Sequence, residues 1–244
     1  MVSFIKIEGK RARGVFQERL NRFSALVRVK DKTLLTFLPN PGRMHELLVS
    51  GTEVILREVL KENRKTSYDL IGVSYNGQWV SVDSRVPNKL FLEALRNRDI
   101  IELADYSIIK PECGYGHSRF DFFLANECDR CLLEVKSATL VKDGVAMFPD
   151  AVTERGKRHV KDLVKAKKEG YKACVLFLVQ RTDAYSFAPD DETDPKFGKA
   201  LRTAASAGVE IYAYKMEISR DFSLLSLSSR LNVNLEAPKT QFAE

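Results

Sequence analysis

Two strand-like stretches of this chain carry charged side chains where a strand should be buried. Residues 117–125 and 131–136 are apolar runs of strand length, and polar residues join them, which predicts an antiparallel hairpin. Asp121 lies inside the first run, and Glu134 and Lys136 lie inside the second. A buried carboxylate is costly unless it is paired or bound to a metal. The pattern therefore predicts a functional site on the hairpin.

These three charges suit metal-assisted hydrolysis of a phosphodiester. Side chains alternate along a strand, so Glu134 and Lys136 share one face, roughly 6 to 7 Å apart. Asp121 and Glu134 would hold Mg²⁺ or Mn²⁺ through oxygen, and Lys136 would orient a water or offset charge on phosphorus. A Glu-x-Lys thirteen positions after an Asp resembles the PD-(D/E)xK nuclease superfamily. The alternative is a structural ion pair, either Asp121 with Arg119 or Glu134 with Lys136.

The excess positive charge belongs to the first third of the chain. The formal net charge is +6, and residues 1–85 hold 15 Lys and Arg against 9 Asp and Glu, while the remainder holds 24 of each. A concentrated basic region suits a polyanion, although a solvated basic face without a partner explains it as well. The candidate nucleic-acid contacts in this region are Arg11, Arg13, Arg19, Arg22, Arg43, Arg64 and Lys65.

The same region predicts a small β-barrel. Asn76-Gly77 is a strong two-residue turn signal, and there is little helical periodicity. Five short strands of this kind are typical of an OB-type barrel, and an SH3-like barrel would give nearly the same pattern. The period changes near residues 83–87, which divides the chain into domains at 1–84 and 85–244. The predicted strands are 25–29, 34–38, 53–59, 68–75 and 79–82.

Residues 85–244 predict an α/β domain. Asn88 is a favourable N-cap before a helix with apolar residues at helical spacing. Asp150 or Thr153 can cap a second helix, which would run to about Glu169.

Three further side chains are candidates in the second domain. Arg155 and His159 lie four apart near the start of the second helix, the end that favours anions, so both are candidate nucleic-acid contacts. Residues 171–179 form a continuous apolar run, which predicts a central strand. Gln180 follows its C-terminal end, where ligands bind in parallel sheets, and is a candidate catalytic residue.

Cysteine usage and hydropathy bear on the compartment. Cys128 and Cys131 have no second pair and no paired His, so a zinc site is not expected. Free thiols are the expectation, and a disulfide between these two is the alternative. No apolar run reaches membrane-spanning length and the start lacks a signal-peptide pattern, so we expect a soluble cytoplasmic protein.

Several short stretches, spread in order along nearly the whole chain, match those of one family. They are Pro39–Met44, Asn63–Thr66, Val86–Asn88 with Glu93-Ala94, Ser118–Phe122, Glu134–Lys136, Thr139-Leu140, Phe148–Gly156 and Val179–Arg181. On these stretches the chain resembles the sugar fermentation stimulation protein A family, with Pro41 where the family more often has Thr.

The resemblance implies a two-domain protein that binds DNA. It implies an N-terminal OB-type domain, a C-terminal PD-(D/E)xK nuclease-like α/β domain, and DNA binding with little sequence preference. In the nuclease superfamily a Glu on the helix before the catalytic strand often joins the metal shell, so Glu93 is a third candidate ligand beside Asp121 and Glu134. Members are also described as regulators of sugar (maltose) metabolism.

Two classes of function follow. The first is a Mg²⁺- or Mn²⁺-dependent deoxyribonuclease acting on double- or single-stranded DNA, with Asp121, Glu134, Lys136 and Gln180 as catalytic residues. The second is a DNA-binding regulator that retains the fold without turnover, and a sugar or phosphate-metabolite enzyme is a distant third. Since no helix-turn-helix pattern is present, binding should rest on phosphate contacts and depend steeply on salt. No membrane partner is expected, and a homodimer is left open.

Overall fold

The computed structural model describes residues 2–60 and 64–237, so Asn63 of the Asn63–Thr66 stretch lies outside the described residues. Its helices are α1 (Val86–Arg96), α2 (Glu154–Lys168) and α3 (Pro195–Ser206), with a 3-10 turn at Ile101–Leu103. Its strands are β1 (Phe4–Lys6), β2 (Arg11–Asn21), β3 (Ser24–Val29), β4 (Lys32–Phe37), β5 (Glu53–Glu58), β6 (Tyr68–Tyr75), β7 (Gln78–Ser81), β8 (Ile108–Tyr115), β9 (Ser118–Ala125), β10 (Arg130–Ala138), β11 (Leu140–Lys142), β12 (Val145–Phe148), β13 (Lys172–Val179), β14 (Ser186–Pro189), β15 (Glu210–Ile218) and β16 (Leu224–Val233).

The first sheet is a five-stranded OB-like barrel, as predicted. Its strands follow the order β4-β3-β2-β5-β6, and a pairing of Phe37 with Asp69 joins β4 to β6 and closes the barrel. β7 extends it as a hairpin on β6. The five predicted strands are present, whereas β2 was not assigned from the sequence. Its inward positions include Gly14, where a Cβ would come within 2.5 Å of the Val27 side chain, so the strands pack too closely there for a larger residue.

The second domain is an α/β sheet with three helices, also as predicted. β10, β13 and β15 are parallel neighbours at its centre, and β9 pairs with β10 in the predicted antiparallel hairpin. The side chains of β13 are buried, as expected of a central strand. α2 and α3 cover one face of the sheet, where Leu163 and Leu201 join the same apolar cluster as Phe177. α1 and the outer surface of the barrel cover the other face.

The first residue of each helix determines which of its side chains face the sheet. α2 begins as predicted, because the Oγ1 atom of Thr153 accepts a hydrogen bond from the Gly156 N–H at 3.0 Å. The predicted cap of α1 is wrong, because the N-cap residue is Arg85, whose N–H donates to the Asp83 carboxylate at 3.0 Å. Asn88 therefore lies within the first helical turn.

The two domains are connected through the chain segment that follows β1 and by packed side chains. β1 pairs antiparallel with β16, so residues 4–6 belong to the second sheet and not to the barrel. Gly72 of the barrel faces the ring of Phe222, and a Cβ there would lie 2.5 Å from that ring. The Trp79 indole packs edge-on against the same ring at a centroid distance of 6.0 Å. The outer face of the barrel and one face of the sheet thus share an apolar cluster, while the barrel interior forms a cluster of its own.

Two expectations about the whole chain are also addressed by the structure. Its described helices include none with the length and apolar character needed to cross a membrane. All four cysteines are free thiols, with Cys128 exposed and Cys131 buried, so the alternative of a disulfide between them is not adopted.

Candidate active site and nucleic-acid surface

Asp121 on β9 is held from two sides. Its Oδ1 atom accepts a hydrogen bond from the Asn88 side-chain amide at 2.6 Å, and its Oδ2 atom accepts one from the Val135 N–H at 2.8 Å. Burial raises the pKa of Asp121, the negative charge of Glu134 adds to this, and the two hydrogen bonds offset it only in part. A bound cation would reverse both effects, because it favours the ionised carboxylate.

Glu134 on β10 is almost fully buried and is paired on one oxygen only. Its Oε1 atom accepts hydrogen bonds from the Lys136 ammonium and from Nδ1 of His159, the latter at 2.5 Å. An ionised carboxylate can only accept, so Nδ1 of His159 carries the proton, and its Nε2 atom faces the Nε–H of Arg155 at 3.4 Å. Burial alone would raise the pKa of Glu134, but the hydrogen bond from His159 and the charge of Lys136 outweigh it and lower the pKa.

The second oxygen of Glu134 is placed to bind a cation. Among residues 2–60 and 64–237 the Oε2 atom is buried and has no hydrogen-bond partner. A buried carboxylate oxygen without a partner costs free energy unless another group satisfies it. The described part of the chain places no three His, Cys, Asp or Glu residues as a metal-binding group. A hard divalent ion bound here would therefore use Asp121 and Glu134 and complete its shell with water, carbonyl or phosphate oxygens, as Mg²⁺ commonly does.

Asn88 is a functional candidate that the sequence analysis took for a helix cap. Because α1 begins at Val86, the side chain of Asn88 points to β9 and donates to Asp121, 33 positions away in the chain. Only its place in the Val86–Asn88 stretch shared with the resembled family could have marked it.

Gln180 lies beside the cluster, but its amide contacts neither carboxylate. It follows β13, and its Nε2 donates to the Oγ of Ser137 at 2.8 Å while its Oε1 accepts from the Oγ of Ser81 at 2.8 Å. Ser137 follows Lys136 on β10, and Ser81 belongs to the barrel. Gln180 therefore links the barrel to the strand that carries the ammonium group.

The predicted third ligand, Glu93, is not brought to this cluster. It lies on α1 five residues after Asn88, which rotates it about 140° around the helix axis. Its carboxylate is partly exposed and pairs with Arg96 at 3.2 Å. It lines a different depression, beside β1. The expectation that Glu93 joins Asp121 and Glu134 is therefore corrected.

Comparisons with known proteins agree with this architecture. The family model described as "Sugar fermentation stimulation protein RE domain" matches residues 85–222, and that described as "SfsA N-terminal OB domain" matches residues 18–82. The chain belongs to the sugar fermentation stimulation protein family. The first model covers the α/β domain with the acidic cluster, and the second covers most of the barrel.

Individual relatives in the sugar fermentation stimulation protein family match over most of their length. The chain is 44% identical over 223 residues to a homologue from Caldanaerobacter subterraneus subsp. tengcongensis, which covers 91% of this chain and 96% of the relative. It is 46% identical over 220 residues to one from Alkaliphilus metalliredigens, covering 89% and 95%. A solved structure titled "The structure of Pyrococcus Furiosus SfsA in complex with Ca2+" superposes with a TM-score of 0.88 at 29% identity, covering 96% of this chain and all of that one.

The two candidate nucleic-acid contacts on α2 of this family member lie in different environments. His159 is buried against Glu134 and Phe120, so the prediction that it contacts nucleic acid is corrected, and its ring is instead a partner of the acidic cluster. Arg155 stays exposed one helical turn earlier. Its guanidinium group remains available to an anion that approaches the cluster.

Arg19 holds a loop together instead of presenting its donors to solvent. Its guanidinium group donates to five backbone carbonyls, among them those of Gly42 at 2.6 Å and Arg43 at 2.8 Å. The backbone at Gly42 approaches Asp150 so closely that a Cβ would lie 2.4 Å from its Oδ2 atom. Arg19 thus shapes the junction between the Pro39–Met44 loop and the Phe148–Gly156 stretch.

The remaining basic candidates do not form one patch. Arg13 pairs with Glu53 and lies over the Trp79 ring, on the side of the barrel that bears β7. Arg11 donates to the Ile7 carbonyl. Arg64 lies elsewhere, where it donates to the buried carboxylate of Asp69 at 2.6 Å. The exposed members whose charged groups make no hydrogen bond or ion pair among the described residues are Arg22, Arg43 and Lys65.

Proposed function

We propose that this protein is a divalent-metal-dependent DNA nuclease with little sequence preference. The observation that supports it is the pair Asp121 and Glu134 on adjacent strands, with one buried Glu134 oxygen unpartnered in the described chain and a Lys136 ammonium beside it. This donor set is oxygen-only, which suits Mg²⁺ or Mn²⁺. The relative from Pyrococcus furiosus is titled as a Ca²⁺ complex, and Ca²⁺ also takes oxygen ligands.

Each residue of the acidic cluster would have a different role in the reaction. A divalent ion held by Asp121 and Glu134 would polarise a phosphoryl oxygen and lower the pKa of a bound water. Lys136 lies on the same strand and offers donors to an attacking water or to a developing negative charge on phosphorus. His159 and Asn88 fix the two carboxylates, which keeps the ligand oxygens in place before substrate arrives.

The basic side chains would hold the DNA backbone. Arg22 and Arg43 line a depression that also includes Ala151 and Val152, just before α2, and Arg155 lies in the first turn of that helix. Phosphate contacts of this kind give affinity without sequence preference and weaken as salt rises. We expect binding to show that salt dependence.

The test is cleavage of plasmid and single-stranded DNA in the presence of Mg²⁺ or Mn²⁺. Wild type should give products that disappear in Asp121→Ala and in Glu134→Gln, because each change removes an oxygen ligand. The matched control is Glu127→Ala, which removes an exposed carboxylate from the turn of the same hairpin and should leave cleavage unchanged.

Metal binding can be measured without turnover. A ligand that binds only the folded state raises its stability, so Mn²⁺ should raise the melting temperature of wild type and of Glu127→Ala but not of Asp121→Ala. If wild type shows neither cleavage nor a Mn²⁺-dependent shift, the nuclease proposal is wrong.

The second candidate is a DNA-binding regulator without turnover. It is favoured by the ion pair of Glu134 with Lys136, which partly neutralises the carboxylate in the absence of a metal. DNA binding by wild type without cleavage under any of the metals would select it.

A further inference from the structure

A groove on the barrel combines exposed aromatic surface with fixed positive charge. It runs between the β2–β3 turn, which carries Phe23, and the segment before β6, which carries Arg64 and Lys65, and it encloses about 640 Å³. That volume is within the range of ligand pockets. Phe23 is 46% exposed although it is a large apolar residue. The remaining lining residues are Asn21, Ser24, Leu35, Phe37, Thr66 and Arg85.

The groove presents a row of stacked planar groups. The rings of Phe23 and Phe37 are stacked, with centroids 6.2 Å apart and an interplanar angle of 21°. The guanidinium carbon of Arg64 lies 5.5 Å from the centroid of the Phe37 ring. Aromatic rings and guanidinium planes are the surfaces on which unpaired bases stack in proteins that bind single strands.

These groups are held in place before any ligand binds. The Asn21 side chain accepts a hydrogen bond from the Phe23 N–H at 2.9 Å, and the Phe23 carbonyl accepts one from the Leu38 N–H at 2.9 Å. On the other side the buried Asp69 carboxylate accepts hydrogen bonds from Arg64 and Arg85, at 2.6 and 2.8 Å. A rigid platform loses little conformational entropy on binding, so its contact area contributes to affinity.

We propose that this groove binds an unpaired base of a single-stranded nucleic acid, with its phosphates along the basic side. The assignment rests on the proposed nuclease function and deepens it, because it names a strand with unpaired bases as the substrate. The groove lies between the turn that joins the first to the second barrel strand and residues 64–66, which precede the fifth, and OB-type barrels bind oligonucleotides and oligosaccharides at the corresponding loops. Charge selects between these two ligands, because Arg64, Lys65 and Arg85 form a cationic side that a neutral sugar does not need.

The start of α1 connects the groove to the acidic cluster. Arg85 lines the groove and is the N-cap residue of α1, and Asn88, three residues further on, donates to Asp121. One helical turn, roughly 5 Å along the axis, separates the two backbone positions. Under this proposal, a strand that leaves the groove past Arg85 would pass close to the carboxylates.

The experiment measures binding in EDTA, so that no turnover is needed and a failure of the nuclease proposal does not affect the result. Fluorescence anisotropy gives the Kd of a labelled oligothymidylate and of an oligonucleotide of equal length with abasic sites. Phe23→Ala should weaken oligothymidylate binding roughly 5-fold to 150-fold, the range for loss of one base–aromatic stack. Its effect on the abasic strand should be small, and Phe23→Tyr should restore the wild-type Kd.

Two lysine variants test the contribution of positive charge to binding. Lys65→Ala should weaken both strands equally, because it removes a phosphate contact only. Lys32→Ala removes an equally exposed lysine at the opposite end of β4, roughly 17 Å from Phe37, and should change neither Kd.

Two results would overturn the proposal. One is a Phe23→Ala protein that binds both strands as wild type does, or that loses the same factor for both. The other is competition by maltohexaose for the oligothymidylate, which would assign the groove to a sugar.

Discussion

The fully buried carboxylate of Asp69 makes Asp69→Asn the most informative change to the barrel. Its Oδ2 atom accepts from Arg57 at 2.7 Å and from Arg85 at 2.8 Å, and its Oδ1 atom accepts from Arg64 at 2.6 Å. The amide keeps the size of the side chain but removes the charge and turns one acceptor into a donor that faces a guanidinium group. Asp83 then remains as the nearby anion for Arg57 and Arg85.

The expected loss can be estimated from these contacts. Removing one partner of a buried ion pair costs about 3–5 kcal/mol, and the partial exposure of the three arginines, between 18% and 44%, moves the expectation to about 3 kcal/mol. For a chain of this size that corresponds to a fall in Tm of roughly 6–12 °C. The control is Glu53→Gln, which breaks the exposed Arg13–Glu53 pair and should cost at most about 1 kcal/mol.

The pH dependence gives a second readout of Asp69. Burial raises its pKa, but the hydrogen bonds from Arg85, Arg64 and Arg57 outweigh burial, so the pKa lies below its usual value. A depressed pKa in the folded state gives stability that is present above the unfolded pKa, about 3.9, and is lost as pH falls through the folded pKa. The difference in unfolding free energy between wild type and Asp69→Asn should therefore be constant from pH 8 to about 5 and shrink below about 4.

Chemical denaturation at several pH values, followed by circular dichroism, measures both quantities. Equal small losses in Asp69→Asn and Glu53→Gln, or a difference that persists unchanged into acid, would refute the electrostatic reasoning.

Two further changes test the packing. Thr153→Ala removes the side-chain cap of α2 and should lower the unfolding free energy by about 1 kcal/mol. The control is Thr203→Ala, within α3, which should cost little. Equal losses of stability in thermal denaturation would show that the Thr153 side chain does not stabilise the helix start. Gly72→Ala places a Cβ 2.5 Å from the Phe222 ring and should lower the unfolding free energy, measured in urea, by about 1–3 kcal/mol. An unchanged urea midpoint would show that the contact between the domains adjusts to the added Cβ without cost.

Much of the fold could be predicted because its apolar runs are local and strongly patterned. The hairpin of β9 and β10, the buried strand β13 and the barrel strands from β3 to β7 all show the expected runs. β2 was missed because its inward positions include Ala12 and Gly14, and such small side chains give a weak hydrophobic period. β16 was missed because serines interrupt its apolar residues, and it is stabilised by pairing with the preceding strand β15 and with β1 and β14, which are distant in sequence.

The candidate site was predictable only where its residues lie on one hairpin. Asp121, Glu134 and Lys136 could be named because charges inside two apolar strands are visible locally. The partners that hold them come from elsewhere, since Asn88 is 33 positions from Asp121 and His159 is 25 positions from Glu134. No local pattern encodes such distances, so the sequence analysis assigned Asn88 to a helix cap and His159 to a nucleic-acid contact.

The pairing of β1 with β16 makes the barrel an insertion within the larger domain. The backbone crosses between the two domains twice, once after residue 6 and once before residue 86, so they cannot swing apart about a single linker. The spacing between the barrel groove and the carboxylates is therefore constrained. On the proposed function, a strand bound at both would be cut at a set number of nucleotides from the stacked base.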